Sequence, residues 1–157
     1  MMRRHYVLAA LAIAALSLAG GTHAAFAADK VCKLEIAGTD AMQFDKKELS
    51  VAADCTQVQL TLKHIGKLPK EAMGHNWVLA NTPDLSAVAS SGMTAGIANN
   101  YIDKSDKKVL ASTKLVGGGE SATVTFPTSV LKKGGAYSYE CTVPGHNSVM
   151  HGVLKFG

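Results

Sequence analysis

Proline is scarce in this 157-residue chain, with four in all, and aromatic side chains make up only 6% of it. No stretch reaches the roughly 18 unbroken apolar residues that a permanent membrane span demands. The 15 glycines follow no three-residue period, which excludes a collagen-like rod. The lysines are scattered apart from pairs such as Lys46-Lys47 and Lys132-Lys133, and no basic stripe interleaved with aromatics is present to recruit nucleic acid. Cysteine is rare too, at three residues. Apolar residues reach 47%, too many for a disordered chain, and the length suits one globular domain.

The N-terminus reads as a secretory leader. Arg3 and Arg4 precede an apolar run from Val7 to Gly20, and Ala25-Phe26-Ala27 places small residues at both positions of an A-x-A cleavage site. Residues 1–27 are therefore expected to be removed, with cleavage after Ala27 or, one position later, after Ala28. No cysteine follows the run, so a lipid anchor is not supported. The domain proper is then 28–157, in which the formal charge drops from +4 to +2 once Arg3 and Arg4 are gone. Export implies an oxidising environment. There Cys32 and Cys55 are the natural couple, closing a loop worth roughly 3 kcal/mol in the chain-entropy model. Cys141 is left over, and an exported thiol needs something to occupy its sulfur.

Strand character covers residues 33–37, 48–52, 57–64, 76–80, 121–126, 136–141 and 149–156. The alternation of Val58, Leu60 and Leu62, and of Ala122, Val124 and Phe126, against polar neighbours gives each strand one buried and one wet face. Seven or eight such strands predict an all-β sandwich of packed antiparallel sheets. One segment breaks the period. Thr82 as N-cap, Pro83 in the first turn and Gly92 as a stop predict one short helical insert over residues 83–91. Gly117-Gly118-Gly119 reads as a turn between strands, because a phosphate cradle would need a helix after it.

The chemistry concentrates in residues 141–150, where Cys141, His146 and Met150 bracket a Pro-Gly turn. A thiolate, an imidazole and a thioether are the soft and borderline donors that select copper, and one thiolate with two imidazoles and a weak axial thioether is the donor set of a blue-copper electron-transfer site. The second imidazole must come from elsewhere. His75 is the first candidate because it opens a strand. His64 is in phase with the buried face of its strand and reads as a hydrogen-bonded core residue, while His151, next to Met150, is turned to the opposite face.

Met73-Gly74-His75-Asn76-Trp77-Val78-Leu79, the Cys141-x4-His146-x3-Met150 loop, Met42-Gln43-Phe44 and Thr113-Lys114-Leu115 together resemble the azurins, bacterial members of the cupredoxin family. The spacing of Cys32 and Cys55 is similar to that family's disulfide. The resemblance spans the domain and implies a Greek-key, cupredoxin-like sandwich. It implies one type 1 copper per chain, held by His75, Cys141 and His146, with Met150 and the Gly74 carbonyl as axial contacts. It further implies that the Asn76 and Val143 N–H groups face the Cys141 sulfur, and that Trp77 is a core residue. An apolar docking and electron-exit patch would comprise Leu68, Met73, Met93 and Val143. Val143 stands where the family usually has Phe, and Glu140 precedes Cys141 where an aromatic is common.

The expected function is that of a non-enzymatic, monomeric periplasmic carrier cycling Cu(I)/Cu(II). The partners implied are redox proteins such as c-type cytochromes or periplasmic reductases and oxidases. Copper sequestration or delivery is the alternative. A thiol enzyme using Cys141 and His146 as nucleophile and base leaves Met150 and His75 without a role.

Overall fold

The computed structural model describes residues 29–157, so the expected leader and its cleavage point lie outside the described residues. The first sheet contains β1 (Val31–Thr39), β2 (Gln43–Phe44), β4 (Gln57–His64) and β7 (Ser121–Pro127), in the order β2-β1-β4-β7. The second contains β3 (Glu48–Val51), β5 (Val78–Asn81), β6 (Ala111–Ser112), β8 (Tyr137–Glu140) and β9 (His151–Phe156), in the order β3-β9-β8-β5-β6. The two stacked sheets make the expected β-sandwich. Its extra strands, β2 and β6, are two residues each and too short to show periodicity.

The alternation that predicts strands also fills the core. Along β4, Val58, Leu60, Leu62 and His64 are buried while the side chains between them are wet or half-buried. Each fully buried aliphatic contributes roughly 1.5–3 kcal/mol. Across the interior, Trp77 lies between Phe126 and Tyr139, with ring centroids at 6.2 and 5.9 Å.

The pairing is not uniformly antiparallel. β1 runs parallel to β4, with Val31 opposite Gln57 and Gly38 opposite His64, and β3 runs parallel to β9. Between β1 and β4 the chain crosses to the second sheet for β3 and returns, so it re-enters the first sheet in its original direction. Residue alternation is the same in either direction, which is why the sequence could not distinguish them. This direction matters for the site. Both β1 and β4 begin at the Cys32–Cys55 disulfide, whose Cα atoms are 5.8 Å apart, and both end beside His75.

The helical insert is longer and later than expected. A 3-10 turn over Thr82–Asp84 leads into α2 (Leu85–Ala95), which follows a single-turn helix α1 (Lys70–Met73) in chain order. Thr82 does not cap α2; its hydroxyl is paired with that of Ser138 at 2.9 Å. Nor does Gly92 stop it. Gly92 lies buried within α2, where a Cβ would meet the Tyr101 carbonyl oxygen at 2.4 Å, and the helix ends at Gly96 with φ of 72°. The glycine is required by a close approach, not by a turn. α2 covers the outer face of the second sheet through Val88, packed with Val78, Ala80 and Ile102.

Candidate metal centre

Three backbone hydrogen bonds close the loop after β8. The Cys141 N–H donates to Met150 O at 2.9 Å, Met150 N–H to His146 O at 2.7 Å, and His146 N–H to Val143 O at 2.9 Å. This ties the positions of all three side chains to one another through backbone alone. On the other side, His75 sits just ahead of β5 in an isolated antiparallel bridge to Val116, with N–H···O distances of 2.9 Å in both directions. Gly74, which precedes it, is buried and leaves no room for a side chain, since a Cβ would meet Lys70 O at 2.4 Å.

These elements bring together His75, Cys141 and His146, whose donor atoms lie within 4.8 Å of one another. The His75 and His146 Nδ1 atoms are 3.3 Å apart, and the Cys141 sulfur is 3.6 Å from the His146 Nδ1. Met150 is fully buried in the same core cluster as Cys141. Exposure is 0% for His75, Cys141 and Met150 and 5% for His146. His75 donates its Nε2–H to Thr39 O at 2.9 Å, which fixes the tautomer that leaves Nδ1 as a lone pair facing the cluster. Gly38 is bare so that the same ring can pack on its backbone, where a Cβ would lie 2.6 Å from the His75 Cδ2.

Burial shapes the protonation of the cluster. It pulls His75 down to about 4, against the Thr39 carbonyl, and lowers His146 as well. Both imidazoles are therefore neutral donors at neutral pH. Burial pushes the Cys141 thiol up to about 12, while the Asn76 and Val143 N–H groups pull the other way, which are the two groups the family resemblance aims at this sulfur. A metal that takes this thiolate must displace its proton. Two neutral imidazole nitrogens, a thiol in a dry pocket and a buried thioether nearby suit a soft or borderline ion, copper above hard cations.

His64 is excluded from the cluster by its own hydrogen bonds. Its Nδ1 accepts from Gly66 N–H at 3.1 Å and its Nε2–H donates to Met73 O at 2.8 Å, leaving no free donor atom. Its ring is stacked on that of His75, centroids 4.5 Å apart. His151 is exposed, with Nδ1 bonded to Asn147 O at 2.9 Å. Of the expected docking residues, Leu68 and Met93 are exposed, and Met73 and Val143 are half-buried.

Sequence reasoning named Asn76 only for its backbone N–H and missed the side-chain and backbone bonds that hold the cluster from behind. Asn76 accepts from Thr142 N–H at 2.9 Å and donates to the Thr142 hydroxyl at 2.8 Å, so the residues after His75 and Cys141 are bonded to each other. Thr39 and Gly38 act through backbone, which leaves no trace in side-chain type. Asn76 did leave one: an amide between two residues of a buried strand start has to find partners.

A two-sheet sandwich with this cluster at one end is the architecture of a cupredoxin. The chain belongs to the plastocyanin/azurin family of copper-binding proteins, whose family model matches residues 30–157. It is similar to azurin-1 of Alcaligenes xylosoxydans xylosoxydans, with 52% identity over 124 residues, which are 79% of this chain and 96% of that protein. The azurin of Bordetella pertussis is 51% identical over 124 residues, covering 79% and 83% of the two chains. Among solved structures, the azurin Az-iso2 from Methylomonas sp. strain J superposes with a TM-score of 0.77 at 42% identity, covering 80% of this chain and 98% of that one.

Proposed function

We propose that this chain is a blue-copper electron carrier, in which His75, Cys141 and His146, with Met150 and the Gly74 carbonyl, would hold the copper. The observation that carries this reading is the convergence of two imidazole nitrogens and one thiol within 4.8 Å in a pocket closed to water. Copper, when bound, supplies a one-electron couple. The chain supplies ligands that cannot follow the metal's geometric preference as its charge changes. His75 is held by Thr39 and Gly38, and Cys141 by its place in the hydrogen-bonded loop. Little rearrangement then accompanies each electron.

The same burial disfavours delivery, because a delivery protein must hand its ion to another set of ligands. The donors here are covered, and Cys32 and Cys55 are bonded to each other. No open coordination position or bound substrate is needed for a carrier, which fits a protein that is not an enzyme. Among the described residues no helix is long and apolar enough to cross a membrane. Together with the leader-like residues 1–27, this supports a periplasmic carrier of domain 28–157. The partners would be redox proteins such as c-type cytochromes or periplasmic reductases and oxidases, met as a monomer at Leu68, Met73, Met93 and Val143.

The test is spectroscopic. Adding Cu(II) to the protein lacking residues 1–27 should give an intense visible thiolate-to-copper band at one copper per chain. Ascorbate should bleach it and a mild oxidant restore it, and Cys141→Ser should abolish it. A colourless wild-type complex would overturn the ligand set, and a blue complex that cannot be cycled would favour sequestration.

A further inference from the structure

Asn100 and Tyr101 are consecutive non-glycine residues in the left-handed region, with φ of 59° and 53°. L-residues with a Cβ avoid this conformation, and such residues persist where their surroundings over-determine them. Here the surroundings are the metal centre. The Asn100 carbonyl accepts from the Asn76 side-chain amide at 2.8 Å, and the Tyr101 carbonyl from the Thr142 hydroxyl at 2.5 Å. The Asn100 side-chain oxygen takes the Leu115 N–H at 3.0 Å, one residue before Val116, which bridges to His75. Toward α2, the Asn100 N–H donates to Ile97 O and the Tyr101 N–H to Gly96 O, each at 2.9 Å.

We infer that the Asn100-Tyr101 turn is a positioning element for the metal centre, through which the helical flap of residues 82–110 holds the His75 and Cys141 strands in register. Asn76 uses both amide hydrogens and its oxygen in this network, and the Thr142 hydroxyl both donates and accepts, so neither side chain has a spare donor. Shifting the turn must therefore break a bond to a residue that directly follows a proposed ligand. Gly92 makes the coupling a packing contact as well. Its bare Cα faces the Tyr101 carbonyl and the Thr142 side chain together, where a Cβ would lie 2.4 Å from the first and 2.9 Å from the second. Thus one face of α2 presses on the turn, and the turn is bonded to the two ligand strands. The inference rests on the copper reading.

Two variants approach the turn from opposite sides. Thr142→Val removes the hydroxyl and strands the Tyr101 carbonyl, while Thr142→Ser restores both bonds. Gly92→Ala acts from the flap, changes no proposed ligand or neighbour of one in sequence, and improves helix propensity, so any effect on the metal must pass through its contacts with the Tyr101 carbonyl of the turn and the Thr142 side chain bonded to it. Ser90→Ala, on the exposed side of the same helix, is the control. In Cu(II)-loaded Thr142→Val and Gly92→Ala the thiolate band should change in relative intensity and the copper hyperfine splitting should widen. Copper should leave Thr142→Val faster by roughly ten-fold, the size of effect that residues along a coupled network carry. Thr142→Ser and Ser90→Ala should match the wild type. In the metal-free protein, amides of α2 should exchange faster in Thr142→Val than in wild type. Unchanged spectra and copper release in both Thr142→Val and Gly92→Ala, whatever their melting temperatures, would overturn the inference. If Thr142→Val does not fold, Gly92→Ala alone decides. A wild type with no thiolate band would overturn the copper reading beneath it.

Discussion

Residue by residue, two buried polar side-chain atoms carry no hydrogen-bond partner among the described residues, the Trp77 Nε1 and the Glu140 Oε1. The Trp77 indole is fully buried against Phe126 and Tyr139, and its N–H finds neither carbonyl nor hydroxyl. An unpaired buried donor costs about 1–3 kcal/mol, here outweighed by the area that the ring removes from water. With no polar group to relax around the excited indole, its fluorescence should peak at the short-wavelength limit for tryptophan and should not shift on adding an aqueous quencher. Emission near that of an exposed indole would mean that water reaches Nε1. As the chain's single tryptophan, it reports without interference. At this scale the sequence was legible where a side chain did the work. Cys141, His146, Met150 and His75 are chemically distinctive, so their types and spacing announce a soft-metal cluster. Thr39 and Gly38 do their work with a carbonyl and a bare Cα, and nothing in the one-dimensional string sets them apart.

Strands and helices show a different limit. Period-two alternation located β4 and β7 to within a residue, because each has one face in the core and one in water. β8 is buried on both faces, its inner one carrying Tyr137 and Tyr139 and its outer one Ser138 and Glu140 beneath the flap, so alternation in polarity there does not report exposure. Glu140 is 2% exposed, and burial raises its carboxyl to about 7. A buried acid raised above its unfolded value of 4.5 disfavours the folded state when ionised. Stability should therefore be highest near or below pH 4.5 with respect to this group, and fall as pH rises from there to about 7. In the metal-free protein, Glu140→Gln should flatten the melting temperature across that window and raise it at pH 7. A wild-type melting temperature that is level over the same range, measured by calorimetry, would show that Glu140 has a partner. An aromatic at this position, as the family resemblance leads one to expect, would remove the dependence altogether.

Taken whole, the molecule has two unlike ends. The disulfide pins the starts of β1 and β4, and the parallel run of those strands delivers Thr39 and His64 to the far end, where His75 and the 141–150 loop converge. On the proposed copper reading electron exit would occur there, since electron tunnelling falls steeply with distance and His146 is the proposed ligand in the outer loop, with 5% of its surface showing. The docking residues proposed for it are Leu68 at 42% exposure, Met93 of α2 at 37% and the half-buried Met73 and Val143, side chains that a partner can cover without stripping water from charge. Met73 is a sensitive place to test this, because it lies outside the ligand set and its carbonyl, not its side chain, anchors His64. Met73→Lys should leave the copper band and potential nearly unchanged. Self-exchange between Cu(I) and Cu(II) molecules brings two such faces together, so the variant sets two ammonium groups against each other in a contact that must expel water. Like charges so placed cost several kcal/mol, and self-exchange should slow on the order of a hundred-fold at low salt. Raising the ionic strength to 0.1 M, where the screening length is about 10 Å, should recover part of the loss but not all, because the contact itself stays dry. The rate is read from line broadening in mixtures of the two oxidation states. A rate equal to wild type at low salt would move the exit to another face and leave His146 as a ligand without a role in transfer.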